Sequence, residues 1–467
     1  MKLQESHPKF AVVGHPNKGK SSIVASLAMD DTVQISNTPG TTTKKRSFPL
    51  VVDGKVLYEL YDTPGFQRAR AVLAWLKAQE KVSADERHTV VEAFIKAHKD
   101  NPKFNDEIEL LTPIMEGAGI IYVVDASKPY GPEYETEMEI LRWTGQPSMA
   151  LLNQIDQSDY SQQWKRALGH YFKMVRTYHP MRATLEEHLS ILESMAQLKE
   201  EWIAPLKDSI VCFEEAYDHK VEQSSYLIAQ LIYKALSLVE IQKVSSSTVS
   251  QEEKEKLSKR YQEKLKKLES QTQEKIKRLW NHAHLETEFD KLSLEEVDLF
   301  SQESASIFGL SKKELLVTGV TSGAMTGAGV DLLFAGHTLL VGGVIGAVVG
   351  GVGAYLGFDE LSEVKVLGRR LGDYRLSIGP MKNKNFPYIL LGRSVWFTTK
   401  VMQHSHAKRT KVDFSMDETF KEQWLTEKLQ RKLEGFHKQF RSKKVLQPDA
   451  LEGYKTTLYH TLKSLVK

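Results

Sequence analysis

Gly14-His15-Pro16-Asn17-Lys18-Gly19-Lys20-Ser21 is the stretch on which the reading of this chain turns. Its spacing is GxxxxGKS, it follows an apolar strand candidate, Phe10 to Val13, and it opens into a helix candidate at Ser21. Glycines at these places let backbone N–H groups close around a phosphate, the lysine reaches the β/γ oxygens, and the adjacent hydroxyl can bind magnesium. The alternative is a chance match in a glycine-bearing turn; the strand-loop-helix setting argues against it.

Outward from this loop, Ser21 to Ala28 reads as a helix, and Asp30 to Thr43 as a polar, turn-rich segment containing Pro39-Gly40-Thr41-Thr42-Thr43. A threonine in such a segment can supply magnesium and a γ-phosphate with a hydroxyl or carbonyl oxygen. Arg46 to Val52 and Lys55 to Tyr61, joined by Asp53-Gly54, predict a hairpin. The second strand ends in Asp62-Thr63-Pro64-Gly65, where a carboxylate can hold a magnesium water and a glycine N–H can meet the γ-phosphate. Residues 70–117 read as a helical insertion, with Ser83 and Glu86 spaced as a capping box. The strand Ile120 to Val124, the helix Tyr134 to Trp143 and the strand Met149 to Leu152 lead into Asn153-Gln154-Ile155-Asp156. Strands alternating with helices predict an α/β fold around a mainly parallel sheet, with ligands at the carboxyl ends of its strands.

These four motifs, in this order, resemble the translation-factor-like GTPases close to Era, EngA and TrmE: Gly14 to Ser21 matches GxPNxGKS, Pro39 to Thr42 PGTT, Asp62 to Gly65 DTPG, and Asn153 to Asp156 NKxD. The resemblance covers roughly residues 8–190. It implies a GTP-hydrolysing P-loop domain whose nucleotide lies against Gly14, Asn17, Lys18, Gly19, Lys20, Ser21, Ser22, Asp62, Gly65, Asn153, Gln154 and Asp156. Magnesium would be held by Ser21, Thr42 and Asp62. Asp156 would select guanine through its N1 and N2 groups, and Asn153 would tether neighbouring loops. In the resembled subgroup, Asn17 coordinates a potassium ion that takes the part of an arginine finger, so the implied catalytic set is Asn17, Lys20, Thr42 and Gly65. Phe66 stands where Ras-like enzymes place a water-positioning glutamine, which leaves Gln67 as a candidate water contact. Gln154 replaces the usual lysine, Lys18 is placed to compete with the cation, and Arg182-Ala183-Thr184 is the candidate for the last base-contacting loop.

A length of 467 residues suggests about three domains. With 63 Lys+Arg against 60 Asp+Glu the net charge is +3, which excludes a global polyelectrolyte attraction to nucleic acid. The single cysteine, Cys212, excludes an intramolecular disulfide and a multi-cysteine zinc site. The first strand begins within a few residues of Met1, leaving no room for a signal-peptide core, so the expected localisation is cytoplasmic.

Four regions are expected: a GTPase domain over 1–205, a helical, coiled-coil-like region over 206–300, a glycine-rich apolar hairpin over 301–362, and a basic, mainly helical region over 363–467. Leu257, Tyr261, Leu265, Leu268, Thr272, Ile276 and Leu279 form an apolar stripe on the second. In the third, Gly319, Gly323 and Gly327, then Gly342, Gly346 and Gly350, recur at four-residue spacing as in a glycine zipper. Such a hairpin fits a membrane or a soluble packed pair equally. His404 and His406 read as ordinary surface histidines.

The whole architecture also resembles a bacterial GTPase family whose C-terminal half is a domain of unknown function. Three functional readings stand: a GTP-hydrolysing switch, associated with the inner membrane through the hairpin; an RNA-linked GTPase of ribosome assembly or tRNA modification; and a dynamin-like membrane remodeller. The corresponding candidate partners are an anionic membrane surface through 315–370, RNA or the ribosome, and a second copy in a nucleotide-dependent dimer.

Overall fold

A computed structural model describes residues 7–28, 46–52, 54–79, 82–244, 249–280, 298–310, 356–361, 365–366, 369–370, 373–404, 420–442 and 448–466. The chain divides into two compact units, Met1–Tyr217 with Gln403–Thr410, and Asp218–Met402 with Lys411–Lys467.

In the first unit, strands β1 (Lys9–Val13), β2 (Arg46–Val52), β3 (Lys55–Asp62), β4 (Gly119–Asp125), β5 (Ser148–Asn153) and β6 (Val175–Thr177) form one sheet in the order β2-β3-β1-β4-β5-β6. Every pairing is parallel except β2 with β3, the predicted hairpin. Side chains alternate across the sheet, as period two requires. Phe10, Val12, Ile121, Val123, Met149 and Leu151 face one buried cluster. Ala11, Val13, Ile120, Tyr122, Val124, Ala150 and Leu152 face the other. The first layer is closed by α1 (Lys20–Ala28), α7 (Leu185–Ala196) and the start of α8 (Glu200–Ser237). The second is closed by α2 (Ala69–Ala78), α3 (Arg87–His98), α4 (Asn105–Met115), α5 (Glu133–Trp143) and α6 (Ser161–Leu168).

The insertion is therefore part of the core, with Val90, Val91, Phe94, Phe104, Leu110 and Leu111 all buried in that cluster. Its expected capping box does not form. Ser83 Oγ donates to Glu86 Oε2 at 3.0 Å instead of accepting a helix N–H, and α3 starts only at Arg87.

The second unit holds α9 (Gln251–Leu279), α10 (Gln302–Phe308), α11 (Phe386–Gln403), α12 (Glu427–Ser442) and α13 (Pro448–Leu465). It also contains two short antiparallel strands, β9 (Lys365–Val366) and β10 (Arg369–Arg370). The helical reading of 206–300 is corrected at β7 (Glu240–Val244), which pairs with β11 (Asp373–Ile378), itself paired with β8 (Leu356–Leu361). β7 forms because a partner more than a hundred residues away supplies its hydrogen bonds, which local periodicity cannot register. Gly357, at the end of the expected apolar hairpin, lies in β8.

The stripe on α9 buries Leu257, Tyr261, Leu265 and Ile276. Arg393, counted within the basic C-terminal region, is buried against Glu269 and presents no charge to a surface. His404, expected at the surface, is buried directly after α11. Among the described residues, no helix is long and apolar enough to cross a membrane. The glycine-zipper residues Gly319 to Gly350, the threonines Thr41 to Thr43, and His406 lie outside the described residues.

Candidate functional site

β1 lies between β3 and β4, where the strand order reverses, so a ligand crevice is expected beyond its carboxyl end. The quoted loop occupies that place. Lys20, the first residue of α1, turns back so that Nζ donates to the carbonyls of Gly14 (3.1 Å) and His15 (3.0 Å). It is 8% exposed, and burial lowers its pKa to about 8, against the opposing pull of Asp62 and Glu137. Asn17 holds the left-handed conformation at φ 60°, which asparagine tolerates better than most residues. Gly19 has φ 85°, and a Cβ there would collide with the Asn153 side chain. Ser22 is buried in α1.

Two residues of α5 fasten this loop from behind, and neither was singled out from the sequence. His15 Nδ1 lies 2.8 Å from Glu137 Oε1, and the other Glu137 oxygen accepts from Tyr122 Oη at 2.9 Å. Tyr134 meets the His15 ring edge-on at 5.5 Å and receives Lys18 Nζ 5.8 Å from its ring centre. The sequence signal was there: Tyr134, Glu137, Met138 and Leu141 are the i, i+3, i+4, i+7 face of one helix, and an acid among them is out of place unless partnered.

β3 delivers the third motif, Asp62 to Gly65. Ser21 Oγ donates to Asp62 Oδ2 at 2.8 Å, and Asp62 is 2% exposed. A hydroxyl and a carboxylate so placed are the hard-oxygen donors that Mg²⁺ takes, so the residues present fit that ion. Thr63 Oγ1 donates to the Val12 carbonyl at 2.8 Å, and a Cβ on Gly65 would come within 2.6 Å of Pro16 N. Only glycine lets the two loops approach so closely. Phe66 is buried in the core, and the Gln67 side chain is exposed.

At the end of β5, Asn153 is 4% exposed and its Nδ2 donates to the Lys18 carbonyl at 3.0 Å, joining this loop to the phosphate-loop sequence. Gln154 turns onto its own loop, Nε2 donating to the Ser158 carbonyl at 3.3 Å. Asp156 is exposed and pairs with Lys128 Nζ at 2.9 Å, which raises the lysine pKa. Lys128 is a further residue that motif reading missed; its loop is fixed by Trp164 Nε1 donating to the Lys128 carbonyl at 2.8 Å. Thr184 caps α7, accepting from Glu187 N at 3.2 Å within a capping box, so its hydroxyl serves the helix. Thr42 lies outside the described residues. Among the described residues, no group of three or more His, Cys, Asp or Glu could hold a metal ion by itself.

Comparison with known proteins agrees with this geometry. Residues 9–154 match the family described as 50S ribosome-binding GTPase. GTPase Der of a Thermoanaerobacter species is 33% identical over 128 residues, which is 27% of this chain and 29% of that protein. GTPase Der of Pseudothermotoga lettingae is 41% identical over 68 residues, 15% of each chain. The chain thus spans less than a third of the length of these relatives. A solved structure of Era from Aquifex aeolicus bound to GDP·AlF4⁻ covers 59% of this chain and 98% of its own, at 12% identity and a TM-score of 0.27. Residues 165–461, more than half of the chain, match the family described as Domain of unknown function (DUF3482), and the protein belongs to that family.

Proposed function

We propose that the first unit binds guanine nucleotide with Mg²⁺ and hydrolyses GTP, the chain working as a molecular switch. One observation carries this reading: the Asn153 amide is bonded to the phosphate loop at Lys18, so the base-reading and phosphate-binding motifs form one connected site. In this reading, loop amides and Lys20 bind the β- and γ-phosphates, and the Gly65 N–H meets the γ-phosphate. Ser21, Thr42 and Asp62 would hold the magnesium ion, Asp62 through one of its waters. When bound, that ion neutralises charge on the phosphates. Asp156 accepts from the guanine N1 and N2 groups. Asn17, already in a left-handed turn at the loop, is the proposed potassium ligand.

Nucleotide titration tests the assignment. Asp156→Asn should shift preference from guanosine to xanthosine nucleotides, because an amide presents a donor where the carboxylate presents an acceptor; retained GTP preference would overturn the base-reader role. Hydrolysis should be faster in potassium than in sodium, and lose that difference in Asn17→Ala; equal rates in both salts would remove the potassium proposal. The match to a family described as 50S ribosome-binding favours a ribosomal partner over the other classes. Cosedimentation with large ribosomal subunits in the presence of a GTP analogue, absent with GDP, would support that partner.

A further inference from the structure

Glu107, on α4, is 0% exposed, and the proposed chemistry does not use it. Its Oε1 accepts from two successive backbone N–H groups, Gln67 at 3.0 Å and Arg68 at 2.6 Å. Those residues immediately precede α2 and follow Phe66 and the Asp62–Gly65 motif. The α2 N-cap, Arg68, makes no side-chain cap of its own, and its own N–H is taken by the carboxylate of a different helix. Glu107 Oε2 is buried with no hydrogen-bond partner among the described residues. A fully buried carboxylate costs free energy unless it is compensated, and a role purely in packing would be filled by an apolar side chain.

The segment 62–68 is thus fixed along its length. Asp62 is held by Ser21, Thr63 by Val12, Gly65 lies against Pro16, Phe66 is in the core, and Gln67 and Arg68 hang on Glu107. The anchors before Gly65 belong to the phosphate loop and its strand. The polar anchor after it comes from the helical insertion.

We propose that Glu107 is a positioning residue for GTP hydrolysis: by gripping the Gln67 and Arg68 amides it fixes where the Gly65 N–H points, and makes the insertion a structural partner of the Asp62–Gly65 motif. This rests on the nucleotide reading above. It follows that Glu107 matters for the γ-phosphate and not for the diphosphate, because only the γ-phosphate engages that N–H.

The test uses the full chain with Glu107→Ala and with the near-isosteric Glu107→Gln. Binding of GDP and of a non-hydrolysable GTP analogue is measured together with kcat and KM for GTP, and amide hydrogen exchange over residues 62–72. Glu107→Ala should leave GDP affinity within about twofold of the parent, lower kcat by about tenfold or more, and weaken the GTP analogue selectively. Exchange protection at Gln67 and Arg68 should be lost with it. Glu107→Gln keeps a carbonyl oxygen for both amides and should lie between the two. Parent-like kcat in Glu107→Ala, or an equal loss of GDP and GTP-analogue binding, would overturn the positioning role. If the unaltered chain binds neither nucleotide, it is the nucleotide reading that fails, and the exchange data still report whether Glu107 grips the segment after Gly65.

Discussion

The two units bury charge in opposite ways. In the first, buried or nearly buried polar groups gather at the carboxyl ends of β1, β3 and β5 and bond largely to backbone: Lys20 to the carbonyls of residues 14 and 15, Asn153 to that of Lys18, Glu107 to two amides. In the second, buried charges close on one another. Arg393 meets Glu269 in a bidentate pair at 2.6 and 3.2 Å, with Ser304 Oγ taking a third N–H at 2.9 Å. Charges spent on the backbone hold loops in place and keep a field available to a ligand, whereas charges spent on each other hold helices. The first pattern marks a site. The second marks a scaffold.

If this contrast is right, the largest effect comes from opening the closed pair. Glu269→Ala leaves the guanidinium of Arg393 buried without its carboxylate and should cost about 3–5 kcal/mol of stability in urea denaturation, with nucleotide affinity unchanged. Replacing both residues by methionine should recover most of that loss; a single substitution costing nothing would show that the pair is not a structural closure.

Lys20 should behave in the reverse sense. Its pKa is lowered from 10.5 to about 8. Below about 8 the ammonium is charged in both folded and unfolded chains, and the full cost of burying it is present. Between about 8 and 10.5 the folded chain has released the proton and the unfolded chain has not, so stability rises with pH across that window. Lys20→Met should therefore raise ligand-free stability at pH 7 by about 3 kcal/mol, flatten the rise between pH 8 and 10.5, and abolish nucleotide binding. A destabilised variant would mean that the ammonium is holding the loop together more than it strains it.

What could be read in advance follows the same division. The three motifs among the described residues place side chains by local chain geometry, so Gly14 to Ser21, Asp62 to Gly65 and Asn153 to Asp156, like the hairpin, are legible as strand ends and turns. Glu107, Glu137 and Lys128 are not, because each acts on a residue between 28 and 122 positions away. Yet Glu107 also begins an apolar helix face with Leu110, Leu111 and Ile114, as Glu137 does within its own, so an acid on such a face was a usable sign. β7 was illegible for another reason: Glu240–Val244 is a strand only because β11 pairs with it.

The smallest expected effect probes the second closed network. His437 of α12 is fully buried, its Nε2 2.9 Å from Tyr454 Oη on α13, with Tyr388 of α11 edge-on at 5.1 Å. The charged groups facing it are Glu434 and Arg441, both on α12. Burial, aided by Arg441, holds the imidazole below its usual 6.5, while Glu434 pulls the other way and is itself held below the carboxylate range with the help of His437 and Arg441. A histidine pKa lowered by folding contributes stability that is complete above 6.5 and is lost as pH falls through 6.5 toward the folded value, since the unfolded chain takes the proton first. One such proton sets a ceiling of about 1.4 kcal/mol per pH unit on the slope. His437→Gln, whose amide keeps a hydrogen-bonding partner for Tyr454, should flatten the fall in stability between pH 6.5 and 5 and leave nucleotide affinity unchanged across that range. An altered pH profile of nucleotide binding would show that this network reaches the site, and the line between scaffold and site would have to be redrawn.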